Sequence, residues 1–116
     1  MSRAIDIEIG GKAHKVRFDF NAIADIEQRT GMGIGKLMSE DNAGFHSIRV
    51  LLWGGMKFAR PRLTFEDAGN LLQQYLDGGG TFEAISQRLV LAMQIAGLIP
   101  KDEVTEEPEG NENPGE

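Results

Sequence analysis

The sequence predicts an α+β domain, an N-terminal β-hairpin packed on a small bundle of about four α-helices. Three observations carry that prediction. Residues 4–18 alternate apolar and polar side chains around a Gly-Gly pair, the period-2 signal of a half-buried strand pair. Later segments place apolar residues at i, i+3 and i+4 between turn residues, the signal of amphipathic helices. At 116 residues, 41% of them hydrophobic, the chain fits one domain with a real core.

The hairpin is expected over residues 3–18. Ile5, Ile7 and Ile9 alternate with Asp6 and Glu8, Gly10-Gly11 supplies the positive φ of a tight turn, and the run from Ala13 to Phe18 returns. A lone hairpin is marginal, so the next helix, about 20–30, is expected to cover it. Asp19 or Asn21 can cap that helix, Phe20, Ile23 and Ile26 fall on one side, and Thr30-Gly31 stops it.

A second helix is expected over 44–59, with Phe45, Ile48, Leu52 and Met56 as its stripe, and a third over 64–77. Thr64 and Asp67 have the spacing of a capping box. The stripe of the third helix runs through Phe65, Ala68, Leu71, Leu72, Tyr75 and Leu76 until Gly78-Gly79-Gly80 breaks it. The last helix, 81–97, is apolar over a wider arc. Phe82, Ile85, Leu89, Ala92, Met93 and Ala96 form one face, while Ala84, Leu91, Ile95, Leu98 and Ile99 extend it to roughly 220°. One core face does not use all of that. Either this helix is central and packed on two sides, or its second side meets another protein chain.

Residues 1–99 form the single domain and hold eleven basic and eleven acidic groups. Residues 100–116 hold Lys101 against Asp102, Glu103, Glu106, Glu107, Glu109, Glu112 and Glu116. This tail carries the whole net charge of −6 and, with Val104 as its lone aliphatic residue, is expected to be a disordered acidic extension. A neutral body argues against nucleic acid as partner, and Lys57, Arg60 and Arg62 read as a solvated loop. The chain has no cysteine, so disulfides and thiolate metal sites are excluded, which suits a reducing cytoplasm. No stretch approaches the roughly 20 apolar residues of a membrane span.

Few motifs carry chemistry. GMGIGK at 31–36 is glycine-rich, but its spacing matches neither phosphate-binding fingerprint and it follows a helix end. It reads as a flexible connector pinned by Leu37 and Met38. His14 and His46 lack metal-ligand spacing, and Asp25 is expected to pair with Arg29 at i+4. No catalytic residue, cofactor or metal is expected, and the chain reads as a non-enzyme. Trp53, with Arg49 and Lys57 a turn to either side, is an interface anchor or a ring beneath stacked cationic stems. Met32, Met38, Met56 and Met93 suit an adaptable binding face or fill core gaps. Candidate contact residues are therefore Trp53, Met56, Leu91, Ile95, Leu98 and Ile99.

The order IEIGGKAHKVRFDFNAIADIEQRTG, RVLLWGGMKF, LTFEDAGNLLQQYLDGGG and a final apolar helix resembles the small tail assembly chaperone family of siphophages, prophages and gene transfer agents, also known loosely as tail tube-like proteins. The resemblance covers residues 4–98. It implies a non-enzymatic morphogenesis protein of the host bacterial cytoplasm that coats the helical tape measure protein before the tail tube polymerises. It also implies contacts with other phage tail proteins, a possible homo-oligomer, and often a frameshifted long form. Two alternatives stand beside it: a structural tail or tube subunit of a phage-like particle, and a small host adaptor or cryptic enzyme.

Overall fold

Gly10 and Gly11 turn the chain with φ of 61° and 78°, a region glycine enters without steric penalty, and this pair sets the hairpin register. In the computed structural model, which describes residues 3–39 and 44–98, strand β1 (Ile5–Ile9) runs antiparallel to β2 (Lys12–Val16). Ile9 stands opposite Lys12 and Ile5 opposite Val16. Ile7, Ile9 and Val16 are buried on the inner face. On the outer face Lys15 Nζ lies 3.1 Å from Oδ1 of its cross-strand partner Asp6; both ends are exposed, and such a pair adds at most about 1 kcal/mol.

Helix α1 (Phe20–Thr30) starts at Asp19, whose Oδ1 accepts from the Ala22 N–H at 2.8 Å. It ends at Gly31, left-handed with φ 72°. The cap is thus Asp19 and not Asn21. Phe20 departs from the expected stripe: as the first helical residue it points to solvent, 85% exposed. Ala22 and Ile26 form the buried side, and Phe18, just before the helix, enters the core instead.

Where a flexible connector was expected, Ile34–Leu37 forms one helical turn, α2. The Ile34 N–H donates to Oε2 of Glu27 at 3.1 Å. Leu37 is fully buried and Met38 packs on the core, pinning the segment as expected.

Helix α3 (Phe45–Met56) is the centre of the fold. From Ser47 to Met56 every residue except Arg49 is buried, so neighbours surround it. It packs against α1, β2, α4 and α5. The expectation that α1 is the chief cover of the hairpin is thus corrected. α3 stands against both, and α4 also covers β1. Two adjacent glycines explain how. A Cβ on Gly54 would lie 2.5 Å from Ile26 Cδ1, and one on Gly55 would lie 2.6 Å from Val16 Cγ1. Each missing side chain lets one neighbour approach the helix backbone. The Arg17 N–H donates to the Gly55 carbonyl at 2.8 Å, tying the end of the hairpin to this spot.

α3 ends at Met56, short of the expected residue 59, because the chain tightens there: the Ala59 and Arg60 N–H groups both donate to the Met56 carbonyl. Helix α4 (Phe65–Asp77) opens with the expected capping box, Thr64 Oγ1 accepting from the Asp67 N–H and Asp67 Oδ2 from the Thr64 N–H. Helix α5 (Phe82–Ile95) is capped by Thr81, whose hydroxyl accepts from the Ala84 N–H at 3.0 Å. Its last turn closes through Gly97 (φ 82°) with the Leu98 N–H donating to the Met93 carbonyl, a closure that satisfies an otherwise free carbonyl.

The α+β class predicted from sequence is the fold observed. The central position considered for the last helix belongs to α3. α5 buries one face only: Ile85, Leu89, Ala92 and Met93. The expected disordered tail at 100–116 lies outside the described residues.

Candidate functional site

The turn between α4 and α5 shapes a largely apolar concavity of the described surface. Gly79 takes φ 101°, and a Cβ on Gly80 would sit 2.3 Å from the Tyr75 ring, so glycine lets that ring close over the turn. Phe82 thereby arrives beside Phe45, with ring centroids 4.8 Å apart and planes at 73°. This edge-to-face geometry is favoured by the aromatic quadrupole.

Between α4 and the first turns of α3 and α5 lies a groove of about 560 Å³, within the size range of ligand clefts. α3 contributes Phe45, His46, Ile48 and Arg49; α4 contributes the row Gly69, Leu72, Gln73 and Leu76; α5 contributes Phe82 and Ile85. Phe45 is 75% exposed, Leu76 39% and Phe82 36%. Large apolar groups left in water together mark an interaction surface more than scattered ones do. A smaller cleft of about 180 Å³ lies on the far side of Phe82, between Leu37, Ser47, Leu51, Leu89 and Met93.

One cation lies in the larger groove. Arg49 Nη2 lies 3.4 Å from His46 Nδ1, a contact in which the guanidinium can act only as donor. The Arg49 guanidinium sits 5.6 Å from the Phe65 ring centroid. Its Nε is buried without a hydrogen-bond partner. Gly69 leaves room for the stem, since a Cβ there would meet Arg49 Cδ at 3.4 Å. Lys15, Arg17 and Lys57 each have a carboxylate within reach, respectively of Asp6, Asp19 and Asp25. Arg49 has no such carboxylate among the described residues.

The sequence-derived contact residues divide into three groups. Trp53 and Met56 are core residues, 4% and 1% exposed, and present no surface; this corrects their candidacy as contacts. Trp53 Nε1 donates to the Leu63 carbonyl at 2.9 Å, and its ring meets Phe65 edge-on at 4.9 Å. Lys57 Nζ lies 4.8 Å and the Arg29 guanidinium 5.4 Å from that ring. The ring beneath cationic stems is thus the observed arrangement, with Arg29 of α1 in the place expected for Arg49. Asp25 correspondingly faces Lys57 at 3.8 Å instead of Arg29.

Leu91 and Ile95 are half-buried and Leu98 is 40% exposed. Leu91 and Ile95 lie on the side of α5 turned away from Ile85 and Leu89, and Leu98 follows the helix end past Gly97. Arg88 donates to the Asp6 carbonyl and Arg3 Nη1 to the Ile95 carbonyl at 3.4 Å, holding α5 beside β1. Ile99 lies outside the described residues.

The groove residues Phe45, Leu72, Leu76 and Phe82 escaped the sequence reading because each falls on its helix's apolar stripe and was assigned to the core. The available signal was positional. Phe45 and Phe82 each open a helix, where a side chain has fewer neighbours to cover it.

The remaining motifs have structural roles. Glu27 places its carboxylate at the start of α2, where a phosphate bound by GMGIGK would need to sit. His14, opposite Ile7, has its pKa lowered by partial burial first and by Arg60 and Lys12 second. Among the described residues no group of three or more His, Asp or Glu side chains converges as a metal site, and no helix is long and apolar enough to cross a membrane. No family model matches this chain, and neither a curated protein nor a solved structure matches it.

Proposed function

We propose that this chain is a non-enzymatic tail assembly chaperone that holds a helical client, the tape measure protein, in the bacterial cytoplasm during morphogenesis of a phage-like tail. The observation that carries the reading is the uncovered apolar groove, with Phe45 in water above it. A client with exposed amphipathic helices needs such a surface until a tube encloses it. The family resemblance of residues 4–98 supplies the identity of the client. Leu91 and Ile95 on the outer side of α5, with Leu98 beyond the helix end, offer a second contact, to the client or to another copy of the chain.

The test is co-expression with the tape measure protein encoded beside it, followed by size exclusion with light scattering. Co-elution that keeps the tape measure protein soluble is the expected outcome. A protein indifferent to that client overturns the reading. Retention of the chain in finished particles would assign it instead as a structural tail subunit.

A further inference from the structure

The α4 wall of the groove, from Gly69 through Leu72 and Gln73 to Leu76, spans about 10 Å at the rise of an α-helix. That is two helical turns. Its opposite walls are themselves helix ends, and at one end Gly69 seats the Arg49 stem. The shape matches a helix laid in a helical groove, read by apolar side chains at i, i+3 or i+4, and i+7.

Arg49 adds a chemical requirement. It is a cation in a mainly apolar groove, with Nη2 3.4 Å from His46 Nδ1 and no carboxylate within salt-bridge distance among the described residues. A carboxylate meets a guanidinium through strong, directional, charge-assisted bonds, and the cation otherwise sits among apolar walls.

We propose that the groove binds a two-turn amphipathic helix of a partner protein that carries an Asp or Glu beside its apolar anchors, and that Arg49 pairs with this carboxylate as the specificity-determining residue. This rests on the chaperone reading for the partner's biological identity but not for its chemistry. The helix supplies apolar side chains to cover Phe45, Leu76 and Phe82. Its acid selects both the partner and the register in which it lies.

The experiment is selection from a displayed library of random 16-residue helical peptides against the intact protein, in parallel with Arg49→Glu. The wild type is expected to enrich peptides with apolar residues at i, i+4 and i+7 and an acid at a fixed offset. Arg49→Glu is expected to enrich Lys or Arg at that offset. A selected peptide should bind Arg49→Met, which keeps the stem over Phe65 and Gly69, about tenfold or more weakly, the loss of one charge-assisted contact. Its amide shifts should centre on Phe45, Leu72, Leu76 and Phe82.

Enrichment without an acid, or equal binding to Arg49→Met, overturns the proposal. Should the Arg49 variants fail to fold, Leu76→Glu decides: at this exposed position it should abolish binding of the selected peptide, and undiminished binding overturns the assignment of the groove. Displacement of the peptide by a synthetic copy of residues 99–116 from the same shifted residues assigns the groove to this chain's own acidic segment and overturns the partner. Binding of dodecanoate with the same shifts and affinity assigns it to a small amphiphile and does likewise. A tape measure complex unaffected by Leu76→Glu and Arg49→Met leaves the function standing and removes this inference. Peptide selection as expected, with no tape measure complex, does the reverse.

Discussion

Substituting Gly54 by alanine in the middle of α3 should destabilise the protein, although alanine is the better helix former. In an exposed helix interior the change gains about 1 kcal/mol. Here the new Cβ would lie 2.5 Å from both Cδ1 and Cγ1 of Ile26, a side chain with no exposure. Ordinary contact begins at 3.4 Å, so Ile26 or a whole helix must shift. Overpacking a filled core costs about 1–3 kcal/mol, and an overlap this deep belongs near 3. The net loss is then about 2 kcal/mol, or a Tm lowered by about 8–16 °C for a domain of this size. Gly69→Ala in α4 is the matched control. Its Cβ meets Arg49 Cδ at 3.4 Å and nothing closer, so it should gain up to about 1 kcal/mol. Urea titrations of both variants by circular dichroism give the comparison. Two stabilising substitutions would refute the view that α1 is seated on a glycine of α3.

Three further outcomes follow from the packing. Trp53→Phe removes the donor to the buried Leu63 carbonyl and should cost about 2 kcal/mol, seen as a lower urea midpoint with unchanged slope. Leu91→Glu and Ile95→Glu lie on the half-buried outer side of α5 and should leave a cooperatively folded protein, each costing no more than about 2 kcal/mol; collapse of the thermal transition would place that row inside the core. His14 has a folded pKa below its unfolded value, so the unfolded chain binds more protons between the two. This contribution is fully present above the unfolded pKa of about 6.5 and is lost as pH falls through that value toward the lower folded one. His14→Gln should therefore flatten the fall in Tm between neutral and mildly acidic buffer, and an unchanged slope would remove His14 as its source.

The chain's local chemistry was legible without coordinates wherever it depends on neighbours in sequence. Gly10-Gly11 specifies a tight turn, Asp19, Thr64 and Thr81 each offer an oxygen to free N–H groups, and Gly31 and Gly97 close helices because they tolerate positive φ. Period-2 and period-3.6 patterns then specify the strands and the long helices, and with them the α+β class. Tertiary structure alone decided which helix is central. Gly54 and Gly55 look like helix-weakening residues in the sequence, yet their missing side chains admit Ile26, Val16 and Phe18, a gain that exists only once those residues have come together. Tertiary structure also decided which apolar residues stay in water. Leu52 and Phe45 belong to one stripe, but the first is enclosed on all sides and the second sits at a helix start with one aromatic neighbour. Periodicity reports the face a side chain occupies; whether that face is covered depends on elements distant in sequence, and so does the groove.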